Sequence, residues 1–200
     1  MSYSSCLADS TADLILDASV FINLSASGAA AVILNALPQR ALMVDVAALE
    51  VQLDNRTGRS DNDTFQGLVG PPTLDLIKLD ESGSALFEKL VLVLDDGEAA
   101  TIAAAATRRA FVVLEERKAR RICAQALPAT PQASTLDLFA HAAVTRELGR
   151  NRLSEAVHAA LQNARMRVRA DQRDWVVDLI GGERALGCSS IPRAGEFQKT

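Results

Sequence analysis

Short apolar runs that stop at a charged or turn-forming residue, each followed by a helix-forming stretch, recur along this chain and restrict what it can become. Leu14-Ile15-Leu16 stops at Asp17, and residues 41–46 lead into a segment carrying Glu50. Residues 74–79 follow Pro71-Pro72, and residues 110–114 (AFVVL) stop at Glu115-Glu116. Apolar runs this short read as strands buried on both faces. Their alternation with helices makes them a parallel sheet covered on both sides. Aromatic residues are only 4% of the chain against 48% apolar, so the core must rest on Ala, Leu, Val and Ile. That composition suits helices on a parallel sheet better than a sandwich rich in Tyr and Trp. The length of 200 residues fits one domain, with no internal repeat.

Between the strands the pattern predicts helices over residues 29–37, from 47 onward, and over 81–94 with Leu86, Phe87, Leu90 and Val93 inward. Further helices are predicted from the turn Asp95-Asp96-Gly97-Glu98 to Arg108 and over residues 117–125. The last three run over residues 136–148, 153–165 and 170–180, the first capped by Ser134 or Thr135 and the last stopped by Gly181-Gly182. Residues 54–67 read as a loop or a frayed helix end. The expected organisation is a flexible arm over 1–13, one domain over 14–183, and a disordered tail over 184–200.

Ligands of open parallel α/β sheets bind beyond the carboxyl ends of the strands. Asp17 and Glu115-Glu116 follow two such ends directly. Glu98 sits in the first turn of the helix leading into AFVVL, and Glu50 sits near the start of the helix after the second strand. This placement allows acids from distant positions to meet at one sheet edge. Clustered carboxylates repel unless a cation joins them, and oxygen-only ligands suit Mg²⁺ or Mn²⁺. Each acid also has an ordinary explanation. Asp17 can cap the following turn, Glu98 can complement a helix dipole, and a helical Glu50 can be solvated. Glu115-Glu116 with Arg117, Lys118, Arg120 and Arg121 can form a salt-bridged surface. The joint pattern outweighs any one of these.

The net charge of −4 is unlike that of a protein gripping nucleic acid by charge alone. A chain of this charge either avoids nucleic acid or gathers its acids in a metal site with arginines around them. Arginine outnumbers lysine, which favours planar anions such as phosphate. Cys6, Cys123 and Cys188 lie far apart without zinc spacing and read as reduced thiols, mostly small apolar fillers. His141 and His158 lack ligand spacing. Arg165, Arg167 and Arg169 form an alternating basic run that reads as a solvated turn before it reads as a rim for RNA. No apolar run approaches the ~18 residues needed to span a bilayer, and the opening residues lack the pattern of a signal peptide. A soluble cytoplasmic protein is expected.

The segment LILDASVFINL (14–24) resembles the opening strand of PIN domains: apolar residues, Asp, a small residue, Ser or Asn, then apolar residues. LDDGEAATIAAAATRRAFVVLEERKARRICAQ (94–125) resembles one branch of that family. The branch has an Asp-Gly-Glu-Ala helix start, an apolar strand, two acids, and a basic helix beginning Arg-x-x-Arg. STLDLFAHAAVTRELG (134–149) and IGGE (180–183) extend the likeness, so it covers most of the chain.

The resemblance implies a three-layer αβα sandwich with a mostly parallel sheet and Mg²⁺- or Mn²⁺-dependent ribonuclease activity. It implies the toxin of a toxin-antitoxin pair, with RNA and an antitoxin protein as partners; a homodimer is allowed, and the sequence does not fix the oligomeric state. Asp17, Glu98 and Glu116 take the catalytic positions. The metal would be held by these together with Glu50 and Glu115, the latter as the alternate of Glu116. Ser19 takes the adjoining polar position, and Arg117, Lys118, Arg120 and Arg121 would hold RNA. The chain departs from the family in one respect: both acids after the fourth strand are glutamates where aspartates are usual. The extra methylene moves each carboxylate by about 1.5 Å, and Mg²⁺ tolerates little error. A catalytically weakened PIN-like protein that binds a protein or RNA partner is therefore the alternative reading. An unrelated α/β protein with purely structural acids is the third.

Overall fold

The computed structural model describes residues 3–53 and 61–192. From the N-terminus its elements are β1 (Leu14–Leu16), α1 (Ala18–Ala26), α2 (Ala30–Ala36), β2 (Ala41–Val44), α3 (Asp45–Leu53), α4 (Asp61–Leu68), β3 (Asp75–Ile77) and α5 (Glu81–Leu90). They continue with α6 (Asp96–Arg108), β4 (Phe111–Val113), α7 (Arg117–Ala126), β5 (Gln132–Ala133), α8 (Thr135–Phe139), α9 (Ala142–Asn163), α10 (Arg173–Ile180) and α11 (Gly182–Leu186).

The strands form one parallel sheet in the order β3-β2-β1-β4-β5, with Ile15 beside Leu42 on one side and Val112 on the other. Successive strand residues point to opposite faces, and the core divides accordingly. Leu14, Leu16, Ala41, Met43, Val113 and Ala133 pack under α1, α2, α8, α9 and α10. Ile15, Leu42, Val44, Val112 and Leu114 pack under α5, α6 and α7. Alanines of α6, fully buried from Ala99 to Ala105, let that helix lie close on the sheet. This is the expected three-layer αβα sandwich.

The strand order locates the site. The chain builds outward from β1 through β2 to β3, then crosses to β4 and β5 on the other side. After β1 it turns into α1 on one face, and after β4 it turns into α7 on the other. Neighbouring strands whose connections leave in opposite directions open a crevice at their carboxyl ends, where such folds bind ligands.

Several elements depart from the sequence reading. Helix α1 is absent from it, because Ser25-Ala-Ser-Gly28 ends a helix rather than beginning one: Gly28 takes a left-handed φ of 69° and its N–H donates to the Ser25 carbonyl. Strand β5 is two residues long and left no periodic signal. In the polar stretch, residues 61–68 form α4, held by Phe65 packed edge-on against Phe21 at 5.2 Å; residues 54–60 lie outside the described residues. The helix expected to reach residue 94 ends at Leu90, which leaves Val93 half exposed rather than inward. The helix expected over 136–148 breaks at His141, whose Nδ1 accepts the Ala143 N–H, and α9 then runs to Asn163 across a kink at Gly149 (φ 66°), next to the expected break between residues 148 and 153.

The arm expected to be loose is tied down instead. Leu7 is fully buried, and the Gln39 side chain donates to the carbonyls of Leu7 and Ser10. Tyr3 Oη donates to Asp137. Cys188 and Ile191 of the expected tail are buried as well, while residues 193–200 lie outside the described residues. No single helix among the described residues is long and apolar enough to cross a membrane.

Candidate active site

A cleft of about 750 Å³ opens at the carboxyl ends of β1 and β4. Its lining includes Asp17, Ser19, Asn23, Glu50, Asp95, Glu98, Glu115 and Glu116. All five acids singled out from the sequence therefore border one cavity.

Asp17 arrives there because it ends β1 and begins α1. Its N–H still donates to the Val113 carbonyl of β4, which fixes its backbone to the sheet. Its Oδ2 accepts both the Ser19 N–H at 3.2 Å and the Ser19 hydroxyl, so it does cap α1. Capping occupies only one oxygen. Oδ1 is buried without a hydrogen-bond partner, a costly state for a carboxylate oxygen. Burial raises the Asp17 pKa, the Ser19 hydrogen bonds oppose that shift, and the charge of Glu116 adds to it.

Glu98 lies half-buried in the first turn of α6. A carboxylate that merely complements a helix dipole is favoured in its charged form and has a lowered pKa. Glu98 shows the opposite, pushed up to about 7 by burial and then by the charges of Asp17, Glu116 and Asp95. Glu50 reaches across from α3, and its Oε1 accepts the Gly97 N–H at 3.0 Å. Gly97 makes that approach possible, since a Cβ there would stand 2.3 Å from Glu50 Oε1. Burial and the charge of Asp17 raise the Glu50 pKa too. Glu50 thus supplies the cap that Asp95, at the N-cap position of α6, does not make with its own side chain.

The two glutamates after β4 divide. Glu115 is committed: Oε1 accepts the N–H and hydroxyl of Thr135 at 2.9 and 2.8 Å, and Oε2 accepts the Arg167 N–H at 3.2 Å. Glu116 is exposed at the N-cap position of α7 and makes no capping hydrogen bond. The basic helix divides as well. Arg117, Lys118 and Arg121 are exposed. Arg120, expected to hold RNA, turns inward instead, and its Nη1 donates to the carbonyls of Leu114 at 3.1 Å and Ala133 at 2.7 Å. Burial lowers its pKa.

The cleft also has a lining that the strand-end argument did not reach: Asn23, Asp95, Gln162, Asn163, Arg165 and Arg167. Asn23 stands one turn beyond Ser19 on α1, a spacing visible in the sequence once α1 is recognised. Arg165 and Arg167 belong to the alternating basic run, and only these two of its three arginines reach the cleft. Arg169 packs away from it, against Ser134, Asp137 and Asp171.

The donor set suits a hard divalent cation. Every titratable group among the cleft's acids offers oxygen, Asp17 Oδ1 is partnerless, and the pKa values of Asp17, Glu50 and Glu98 are all raised, first by burial and then by the charge of neighbouring acids. The carboxylates border a shared space rather than a single point: among the described residues no three acidic, His or Cys side chains stand together as a finished coordination shell. Of the five acids singled out from the sequence, Asp17, Glu50, Glu98 and Glu116 have oxygen to offer, and Asp95 stands beside them without a side-chain cap.

Comparison with known proteins adds one finding. The model of a family described as a PIN domain matches residues 13–181, which includes every acid of the cleft. No curated protein and no solved structure matches the chain.

Proposed function

From the premise that this chain belongs to the PIN-domain family, a nuclease-type fold, we propose that it is a Mg²⁺- or Mn²⁺-dependent endoribonuclease. The observation that carries this reading is the partnerless, buried Asp17 Oδ1 at the edge of a cleft that Glu50, Glu98 and Glu116 also line. Asp17, Glu98 and Glu116 would hold the cation, with Glu50 beside them. When bound, the ion lowers the pKa of a water and offsets charge on a phosphodiester. The chain's own contribution is positional. Ser19 engages Asp17 Oδ2 and leaves Oδ1 for the ligand. Glu50 stays at the rim through Gly97, and the uncapped Glu116 keeps a side chain free to swing, so its extra methylene gives reach. Exposed Arg117, Lys118 and Arg121 would guide the strand, a grip weakened by salt. Glu115 has no place among the ligands in this reading, because its oxygens are spent on Thr135 and Arg167.

The role we assign is that of a cytoplasmic toxin held in check by an antitoxin protein, which rests on the likeness of residues 94–125 to that branch of the family. Cleavage of labelled single-stranded RNA tests the activity. Wild-type protein with Mn²⁺ should cut, leaving 5′-phosphate ends, and Glu98→Gln should lose roughly a hundredfold or more in rate, the scale of losing one electrostatic group from an active site. If wild type cuts no RNA with either ion and Glu116→Asp does not restore cutting, a binding role replaces the nuclease reading.

A further inference from the structure

We propose that the segment Arg165–Arg167 is a second wall of the cleft on which both arginines hold a backbone phosphate of the bound strand, and that Glu115 is the positioning residue that sets this wall. The proposal deepens the nuclease reading and rests on it for the identity of the ligand.

The wall is irregular chain leaving α9. Met166 and Val168 are buried while Arg165 and Arg167 are exposed, and Arg165, Met166 and Arg167 all border the cleft. Arg165 has a left-handed φ of 56°, an unfavourable conformation for a long side chain that persists only where surrounding contacts impose it. Those contacts are present. The Met166 N–H donates to the Ala160 carbonyl at 3.3 Å, Asn163 Nδ2 donates to the Ala26 carbonyl at 3.3 Å, and the Arg167 N–H donates to Glu115. The backbone is held while neither guanidinium has a hydrogen bond or ion pair among the described residues.

Their freedom is informative because of what stands opposite. Two arginines share a cleft with Asp17, Glu50, Glu98 and Glu116 and pair with none of them. Arg169, next in the alternation, does pair, with Asp137 and Asp171. The run thus splits into one arginine that locks the segment and two that face the cavity. A guanidinium presents a planar fork that matches phosphate oxygens in pairs. A phosphodiester strand is the ligand that can lie between such a wall and an acid-held cation.

Glu115 explains why a glutamate follows β4. One oxygen serves the start of α8 through Thr135, and the other serves the wall through Arg167. An aspartate, shorter by about 1.5 Å, cannot span both.

Binding can be read without cutting. In a Glu98→Gln background with Mn²⁺, the affinity of a fluorescent single-stranded oligouridylate is measured against NaCl for Arg165→Ala, Arg167→Ala and, as a remote control, Arg152→Ala. The two wall variants, altered at exposed side chains, should each bind about fivefold more weakly and lower the slope of log K against log salt by about 0.7, with the control unchanged. Glu115→Asp should weaken binding similarly, because it releases the Arg167 backbone that aims the guanidinium. Arg167→Ala keeps that backbone N–H but lacks the guanidinium, so adding it to Glu115→Asp should cost little more, the arginine–phosphate contact being already lost. Unchanged affinity and slope in the arginine variants, or no binding at low salt, overturns the wall. Full additivity of Glu115→Asp and Arg167→Ala overturns the positioning role. Binding that depends on both arginines in a protein whose wild type never cuts leaves the wall standing and removes the nuclease reading instead.

Discussion

Glu98 holds a proton that an ordinary glutamate gives up. With its pKa at about 7 in the folded protein and about 4.3 in an unfolded chain, the native state binds more protons between those values. Stability must therefore fall as pH rises through that window. Glu98 is half exposed, so after solvent screening the loss is roughly 1–2 kcal/mol. Thermal unfolding at about pH 5 and about pH 8 without divalent ions should show this loss, and Glu98→Gln should reduce it. Equal pH dependence in the two proteins would mean that Glu98 does not feel its neighbours. At this scale the sequence was informative where backbone position decides the matter. Asp17 and Glu116 sit at strand ends and needed only the strands to be found. It was silent where a side chain chooses between partners. Nothing in Glu115-Glu116 says that the first is consumed by Thr135 and Arg167, and nothing in the run from Arg165 to Arg169 says which arginine turns away. Those choices depend on the left-handed backbone at Arg165 and on α8 lying opposite.

Among the elements, α7 shows how a charged surface helix serves the sheet. Arg120 reaches from it to the carbonyls of Leu114, just past β4, and Ala133, the last residue of β5, joining the short edge strand to its neighbour where the ladder ends. Arg120→Ala leaves both carbonyls without that donor and should cost about 1–3 kcal/mol of stability. The salt dependence of RNA binding should stay as it was, whereas Arg117→Ala should flatten it. A flattened slope with unchanged melting in Arg120→Ala would return this residue to the RNA surface. Helices of continuous pattern, such as α6, were legible from alanine spacing and the Asp-Gly-Glu start. Helix α1 was not, because nearly all of its residues are buried, the polar Asn23 included, so its apolar residues run together without a clear amphipathic period. Two-residue β5 exists only because β4 is there to pair with.

Across the whole molecule, the site is a consequence of strand order. Sequence showed which runs end in acids, but the order β3-β2-β1-β4-β5 places β1 against β4 and so brings Asp17 beside Glu116. That adjacency is a property of the sheet and has no local signal. Around it the cleft gathers acids from the end of β1, α3, α6 and the end of β4; Asp17 and Glu50 each bond through one oxygen, and Glu116 makes no capping hydrogen bond. If the oxygen left over is kept for a divalent cation, a Mn²⁺ titration followed by thermal unfolding at neutral pH will show it. Wild-type protein should melt higher as Mn²⁺ rises, by about 2.7 kcal/mol of stability at a hundred times Kd. Asp17→Asn keeps an oxygen to cap α1 and relieves repulsion, so it should begin no less stable and gain nothing from the ion. Equal stabilisation of both proteins by Mn²⁺ would contradict such a role for the acids.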